Sequence, residues 1–134
     1  MKIGQAASLS GLTVKTVRYY ADIGMIVPAV NRQTGYRDYG EDDVAKLRFV
    51  GAARRFDFSI AACRELLSLF QDRNRSSAEV KALTLEKITE IDDKLQELTS
   101  LRDQLVHLAS SCSGDGRPDC PILDAFAKPQ PDSD

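Results

Sequence analysis

Apolar residues at Ile3, Ala6, Ala7 and Leu9 follow the spacing of a short amphipathic helix. Ser10-Gly11-Leu12 interrupts it, with Gly11 free to take a left-handed turn. Thr13 is placed to cap a second helix that runs through Val14, Val17 and Tyr20 towards Ile23, with Val14 and Val17 facing inward. Gly24 and Pro28 close that helix. Two short helices joined by a glycine-containing turn predict a helix-turn-helix. The stretch from Asn31 to Tyr39 then changes character: Thr34-Gly35 flanked by Arg and Tyr residues predicts a short hairpin, which after a helix-turn-helix is a wing. Glu41, Asp42 and Asp43 open a third helix at the end where the macrodipole favours acids. Its stripe is Val44, Leu47, Val50 (with Phe49) and Ala53, and Arg54 and Arg55 lie in its last turn. A fourth helix begins near Ser59, with Ile60, Cys63, Leu66, Leu67 and Phe70 on its apolar face.

From Ser76 to Ser110 there is neither proline nor glycine. Ser76 and Glu79 form an expected capping box. From Ile88 onward apolar residues recur at steps of 3, 4, 3, 3, 4 and 3, through Ile91, Leu95, Leu98, Leu101 and Leu105 to Leu108. That rhythm is close to a heptad seam. A helix of about 34 residues is about 50 Å long and cannot bury its stripe against so small a domain. The stripe therefore predicts a homodimer through a two-helix coiled coil. A Gly- and Pro-containing loop follows, then a short helix over Pro121–Phe126 and a frayed tail.

Charge changes the picture of the front half. The chain has 134 residues and a net charge of −2. Residues 1–55 carry nine basic and five acidic side chains, net +4, and the remainder carries −6. A basic front on an acidic chain suits a polyanion-binding face. Lys15, Arg18 and Tyr19 fall within one turn of each other, on the face a recognition helix turns to the major groove. Tyr36, Arg37 and Tyr39 on the wing are suited to nearby phosphates. Tyr20 suits either the core or a phosphate contact. With 43% apolar residues, no run of 18 apolar residues and no secretory h-region, the expectation is a soluble cytoplasmic protein that does not enter a membrane. One histidine, no Ser-His-Asp set and no phosphate loop argue against an enzyme.

Three cysteines argue against a disulfide scaffold. Cys63 lies on an apolar helix face, as a small hydrophobe does. Cys112 and Cys120 are separated by seven residues, Ser-Gly-Asp-Gly-Arg-Pro-Asp. Cys120 precedes Pro121, so it sits at a helix N-cap, where free N–H groups stabilise thiolate charge. Soft thiolates select Cu(I) and its heavier relatives, whereas tetrahedral Zn(II) needs four ligands. A bare thiolate pair points to a +1 ion in two-coordinate geometry. A reversible disulfide and a pair of incidental thiols are the alternatives, and His107 is a third ligand only if its helix face turns that way.

The sequence resembles the MerR family of transcription regulators over nearly the whole chain. The resemblance is carried by Ile3-Gly4-Gln5-Ala6-Ala7, Gly11-Leu12-Thr13, Thr16-Val17-Arg18-Tyr19-Tyr20, Gly24-Met25-Ile26 and Gly35-Tyr36-Arg37. Within the family, Cys112, Ser113-Gly114-Asp115, Asp119, Cys120-Pro121-Ile122-Leu123 and Ser77 are similar to the copper-responsive CueR/HmrR subgroup. The resemblance implies a mainly α fold: a winged helix-turn-helix DNA-binding domain with connecting helices (1–75), a dimerisation helix forming an antiparallel coiled coil (76–111), a metal-binding loop with a short helix (112–127) and a flexible tail (128–134). It implies Cu(I) bound by Cys112 and Cys120, with Ag(I) and Au(I) as alternatives. Ser77 of one protomer is implied to lie near that pair in the other, at a position where sensors of divalent ions usually carry cysteine. The Cys-Cys-His-His-like tail of some copper sensors is absent, since the chain ends Lys-Pro-Gln-Pro-Asp-Ser-Asp. Lys15, Arg18, Tyr19, Tyr20, Tyr36, Arg37, Tyr39 and Arg54 are the expected DNA-binding residues. The implied activity is activation of copper efflux or detoxification genes. The dimer holds a palindromic promoter spacer and, on metal binding, distorts it so that RNA polymerase aligns with both promoter elements. Rival expectations are a thiol redox regulator on the same scaffold and a copper buffer or structural DNA-binding coiled coil without a promoter role.

Overall fold

The computed structural model describes residues 1–129, so 130–134 of the expected tail lie outside the described residues. The chain forms two compact units, Met1–Lys87 and Ile88 onward. In the first, α1 (Ile3–Ser10) packs on α2 (Val14–Asp22) and α3 (Glu41–Arg55), and α3 packs on α4 (Ile60–Gln71). Gly11 ends α1 at φ 74°, the left-handed conformation expected of the helix-turn-helix turn. Thr13 caps α2 as predicted, its Oγ1 accepting from the Thr16 N–H at 3.1 Å. Ser59 caps α4 in the same way through the Ala62 N–H at 3.1 Å.

The core is Ala6, Ala7, Val17, Tyr20, Met25, Ile26, Tyr39, Val44, Leu47, Val50, Ala53, Cys63, Leu66 and Leu67. The stripes expected of α3 and of most of α4 are therefore inside, Cys63 among them. Three positions differ. Leu9 is exposed and Ser10 is buried in its place, its hydroxyl satisfied by the Ala7 carbonyl at 3.2 Å. Val14, in the first turn of α2, is exposed, while Val17 alone reaches the core from that pair. Phe70 is more than half exposed and stacks on Phe49 at 4.7 Å between ring centroids.

The wing is real but starts earlier than its sequence suggests. β1 (Ala29–Val30) pairs antiparallel with β2 (Arg37–Asp38), Ala29 opposite Asp38 and Val30 opposite Arg37. Asn31 begins the turn: its side-chain oxygen accepts from the N–H groups of Gln33 and Thr34 at 2.9 and 3.2 Å. Gly35, at φ 75°, brings the chain back. The base of the wing is tied to the N-terminal residue, the Tyr39 N–H donating to the Met1 carbonyl at 2.8 Å.

The long helix α5 spans Ser77–Ser111, 35 residues, none of them buried. Its start differs in detail from a capping box: Ser76 Oγ accepts from the Ala78 N–H at 3.1 Å, and Glu79 donates its N–H to the Ser76 carbonyl. Leu83 packs against the core of the first unit. In the second unit Ile88, Ile91, Leu95, Leu98, Leu101 and Leu105 are all exposed, the seam that the heptad rhythm marks. After the loop, α6 covers Pro121–Ala127 with Pro121 in its first turn.

Candidate nucleic-acid interface and thiol pair

The amphipathic rhythm of α2 decides which of its side chains are presented. Val17 and Tyr20, three apart, are buried, which turns Lys15, Arg18 and Tyr19 outward together. The Tyr19 and Tyr20 rings meet at 5.7 Å, tilted by 49°, so the exposed ring rests on the buried one. The wing adds Tyr36, 74% exposed, and Arg37, whose guanidinium pairs with Asp22 at the end of α2 at 2.7 Å. Hydrogen bonding to Asp22 raises the Arg37 pKa above its ordinary value.

Between wing, α1 and α2 lies a cleft of about 540 Å³ lined by Lys2, Arg18, Tyr36, Arg37 and Tyr39 among others. Three cations and an exposed phenol around one cleft are groups of the kind that contact phosphates. Lys2 is the member that sequence reasoning missed. It was one basic residue among nine, in no motif, and reaches the cleft only because the chain start folds onto the wing.

Of the tyrosines expected at the phosphates, Tyr39 is instead in the core, and Tyr20 takes the core place that was one of its two expected positions. Tyr39 is 1% exposed, and its hydroxyl, near the Arg37 guanidinium, makes no hydrogen bond of ordinary geometry among the described residues. β2 ends at Asp38, so the alternation that would have carried Tyr39 to the outer face with Arg37 stops one residue short of it. Tyr20 is 5% exposed. Burial raises its pKa, and the neighbouring Arg54 opposes that rise. Arg54 itself is exposed at the end of α3 and donates to the Phe58 carbonyl at 2.8 Å.

Cys112 follows α5 directly, and its N–H donates to the Ala109 carbonyl at 3.2 Å. Cys120 is the N-cap of α6, and its carbonyl accepts from the Asp124 N–H at 3.0 Å. Both thiols are free and half-buried. The loop between them is folded on Asp115, which accepts from Ser113 Oγ at 3.1 Å and from the Arg117 N–H at 2.9 Å, with Gly114 at φ 66°. Among the described residues no group of three or more His, Cys, Asp or Glu side chains is placed to hold a metal ion. Two soft sulfurs by themselves suit a two-coordinate monovalent ion and fall short of tetrahedral Zn(II). His107 is exposed, and its carbonyl accepts from the Ser110 and Ser111 hydroxyls. Ser77 lies in the first unit, at the start of α5, on a groove of about 460 Å³ that Phe49, Leu66, Phe70 and Val80 also line.

This arrangement has close counterparts. HTH-type transcriptional regulator HmrR of Rhizobium leguminosarum bv. viciae is 52% identical, covering 95% of this chain and 98% of its own. HTH-type transcriptional regulator CueR of Salmonella typhimurium is 44% identical, covering 92% and 90%. Among solved structures, the transcription regulator PbrR691 from Ralstonia metallidurans CH34, in complex with lead(II), superposes with a TM-score of 0.81 at 29% identity, over 95% of this chain and 99% of that one. Residues 44–108 match the family described as MerR, DNA binding. Residues 1–69, just over half of the chain, match the MerR HTH family regulatory proteins, and the chain belongs to that family of transcription regulators.

Proposed function

We propose that this chain is a Cu(I)-responsive activator that binds a palindromic promoter spacer as a homodimer in the cytoplasm. The observation that carries the metal assignment is the pair of free, half-buried thiols, Cys112 and Cys120, at the two ends of a loop between α5 and a proline-started helix. These two residues would hold the ion, which supplies a compact bis-thiolate charge centre; Ag(I) and Au(I) fit the same donors. Ser77 of the partner copy would complete the surroundings without adding a third sulfur. Lys15, Arg18, Tyr19, Tyr36 and Arg37 would engage DNA, with Arg54 beside them, and Tyr20 and Tyr39 would support them from the core. Residues 1–75 form the DNA-binding part in this reading, 76–111 the dimerisation helix, 112–127 the sensing loop and short helix, and 128–134 the tail.

The two dimer states need differ in metal affinity by only about 1–3 kcal/mol for a usable switch. RNA polymerase then reads the difference as promoter geometry. The test is transcription in vitro, with and without Cu(I), of the wild type, Cys112→Ser and Cys120→Ser. Both variants should lose the metal response, while a gel shift shows operator binding within about twofold of wild type. Loss of operator binding in either variant would sink the separation of the two sites. A response that follows oxidation of the dithiol to a disulfide, with no stoichiometric metal bound under reducing conditions, would replace Cu(I) by redox sensing.

A further inference from the structure

The turn between α3 and α4 is gripped from two sides. Asp57 sits at φ 69°, the one described non-glycine residue in the left-handed region. Its carbonyl accepts from Lys87 Nζ of α5 at 2.7 Å. The next carbonyl, that of Phe58, accepts from Arg54 Nη1 of α3 at 2.8 Å. The same ammonium lies 5.4 Å from the centroid of the Phe58 ring, a cation–π contact. Two adjacent carbonyls are therefore each taken by a cation, one from the long helix and one from the DNA-binding core. Arg54 lies beside the buried Tyr20 of α2. A second link leaves the same turn: α4 starts there, and its Arg64 donates to the Ile23 carbonyl at the C-cap of α2.

The position of Lys87 gives this latch a direction. Leu83, one turn earlier on the same face of α5, packs on the core, and the first compact unit ends at Lys87. Lys87 is thus the last residue of the first compact unit, holding the Asp57 carbonyl where α5 runs on. A small shift of α5 would turn the Asp57–Phe58 peptide, pull the Phe58 carbonyl away from Arg54, and change what Arg54 presents to Tyr20.

We propose that Lys87 is a positioning residue that couples the long helix to the recognition helix through the Asp57–Phe58 turn and Arg54. What moves α5 rests on the proposed function; the link itself does not. The experiment compares Lys87→Met, which keeps the apolar stem, and Lys87→Arg, which keeps the charge, with wild type in the full-length protein. Hydrogen exchange should be about tenfold faster in Lys87→Met for the amides of Ile23, Gly24 and Met25, which close α2, and unchanged in α1. Cu(I)-dependent induction should fall at least about fivefold at unchanged Cu(I) stoichiometry, and Lys87→Arg should restore both. Unchanged exchange at the end of α2 overturns the link, as does exchange raised evenly through the first unit, which marks a merely structural role. Normal exchange changes with normal induction overturn its part in signalling. A wild type that ignores Cu(I) refutes the proposed function instead, and exchange still decides the link.

Discussion

Tyr39 shows how a single position can be misplaced by a sound pattern. Two residues beyond Arg37, it belongs on the same face of any strand that continues, and a phenol there suits a phosphate. The strand is only two residues long, so the chain turns and the ring enters the core at 1% exposure. Its hydroxyl lies near the Arg37 guanidinium but makes no hydrogen bond of ordinary geometry among the described residues, so it recovers little of the hydration it loses. Tyr39→Phe should leave the protein as stable as before or up to about 1 kcal/mol more stable, measured from the urea midpoint. A loss of more than about 1 kcal/mol would mean that the hydroxyl has a partner after all. Cys63 is the opposite case. Its buried place was legible because Ile60, Leu66 and Leu67 set the face of α4 unambiguously, and burial raises its thiol pKa.

At the scale of elements, α3 and α4 were readable because each repeats its apolar spacing often enough to fix a face, whereas the shorter α1 and α2 left Leu9 and Val14 misplaced. α5 is the extreme: the expected start and end lie within one residue of those observed. The wing had no such redundancy. Strands of two residues have no period to read, and the Asn31 turn that sets them acts through a side-chain oxygen. So small a hairpin is marginal on its own and needs anchors. Asp22 is one of them, holding Arg37 at 2.7 Å. Asp22→Asn removes a negative charge close to the proposed DNA face, and simple electrostatics would have it tighten operator binding. The anchoring argument gives the other sign. The half-exposed pair is worth at most about 1 kcal/mol, so binding should weaken by up to about fivefold. Faster exchange of the Val30 and Asn31 amides should accompany it. Tighter binding in a titration at fixed salt would show that Asp22 competes with phosphate for Arg37 rather than placing it.

For the molecule as a whole, the −2 net charge combined a +4 front with a −6 remainder, and three of that front's nine basic side chains, Lys2, Arg18 and Arg37, border one cleft. The reverse inference, from charge to partner, needed the fold, since composition says nothing about which cations share a surface. Assembly was more legible than chemistry. A 35-residue helix with no buried residue leaves Leu95, Leu98, Leu101 and Leu105 in water, which a single copy has no means to cover. Each leucine covered by a second copy is worth about 1.5–3 kcal/mol, and a two-fold axis counts each position twice. Leu98, 62% exposed in the single chain, is the most exposed of the four. Leu98→Glu therefore forfeits two such burials and sets two carboxylates in the seam, which is enough to separate a dimer at micromolar concentration. Sedimentation should show a monomer whose first unit still unfolds cooperatively, because Met1–Lys87 holds the core residues and does not include position 98. Operator binding should fall at least about a hundredfold, since each half-site is then held alone. A Leu98→Glu protein that stays dimeric would move the interface off this seam.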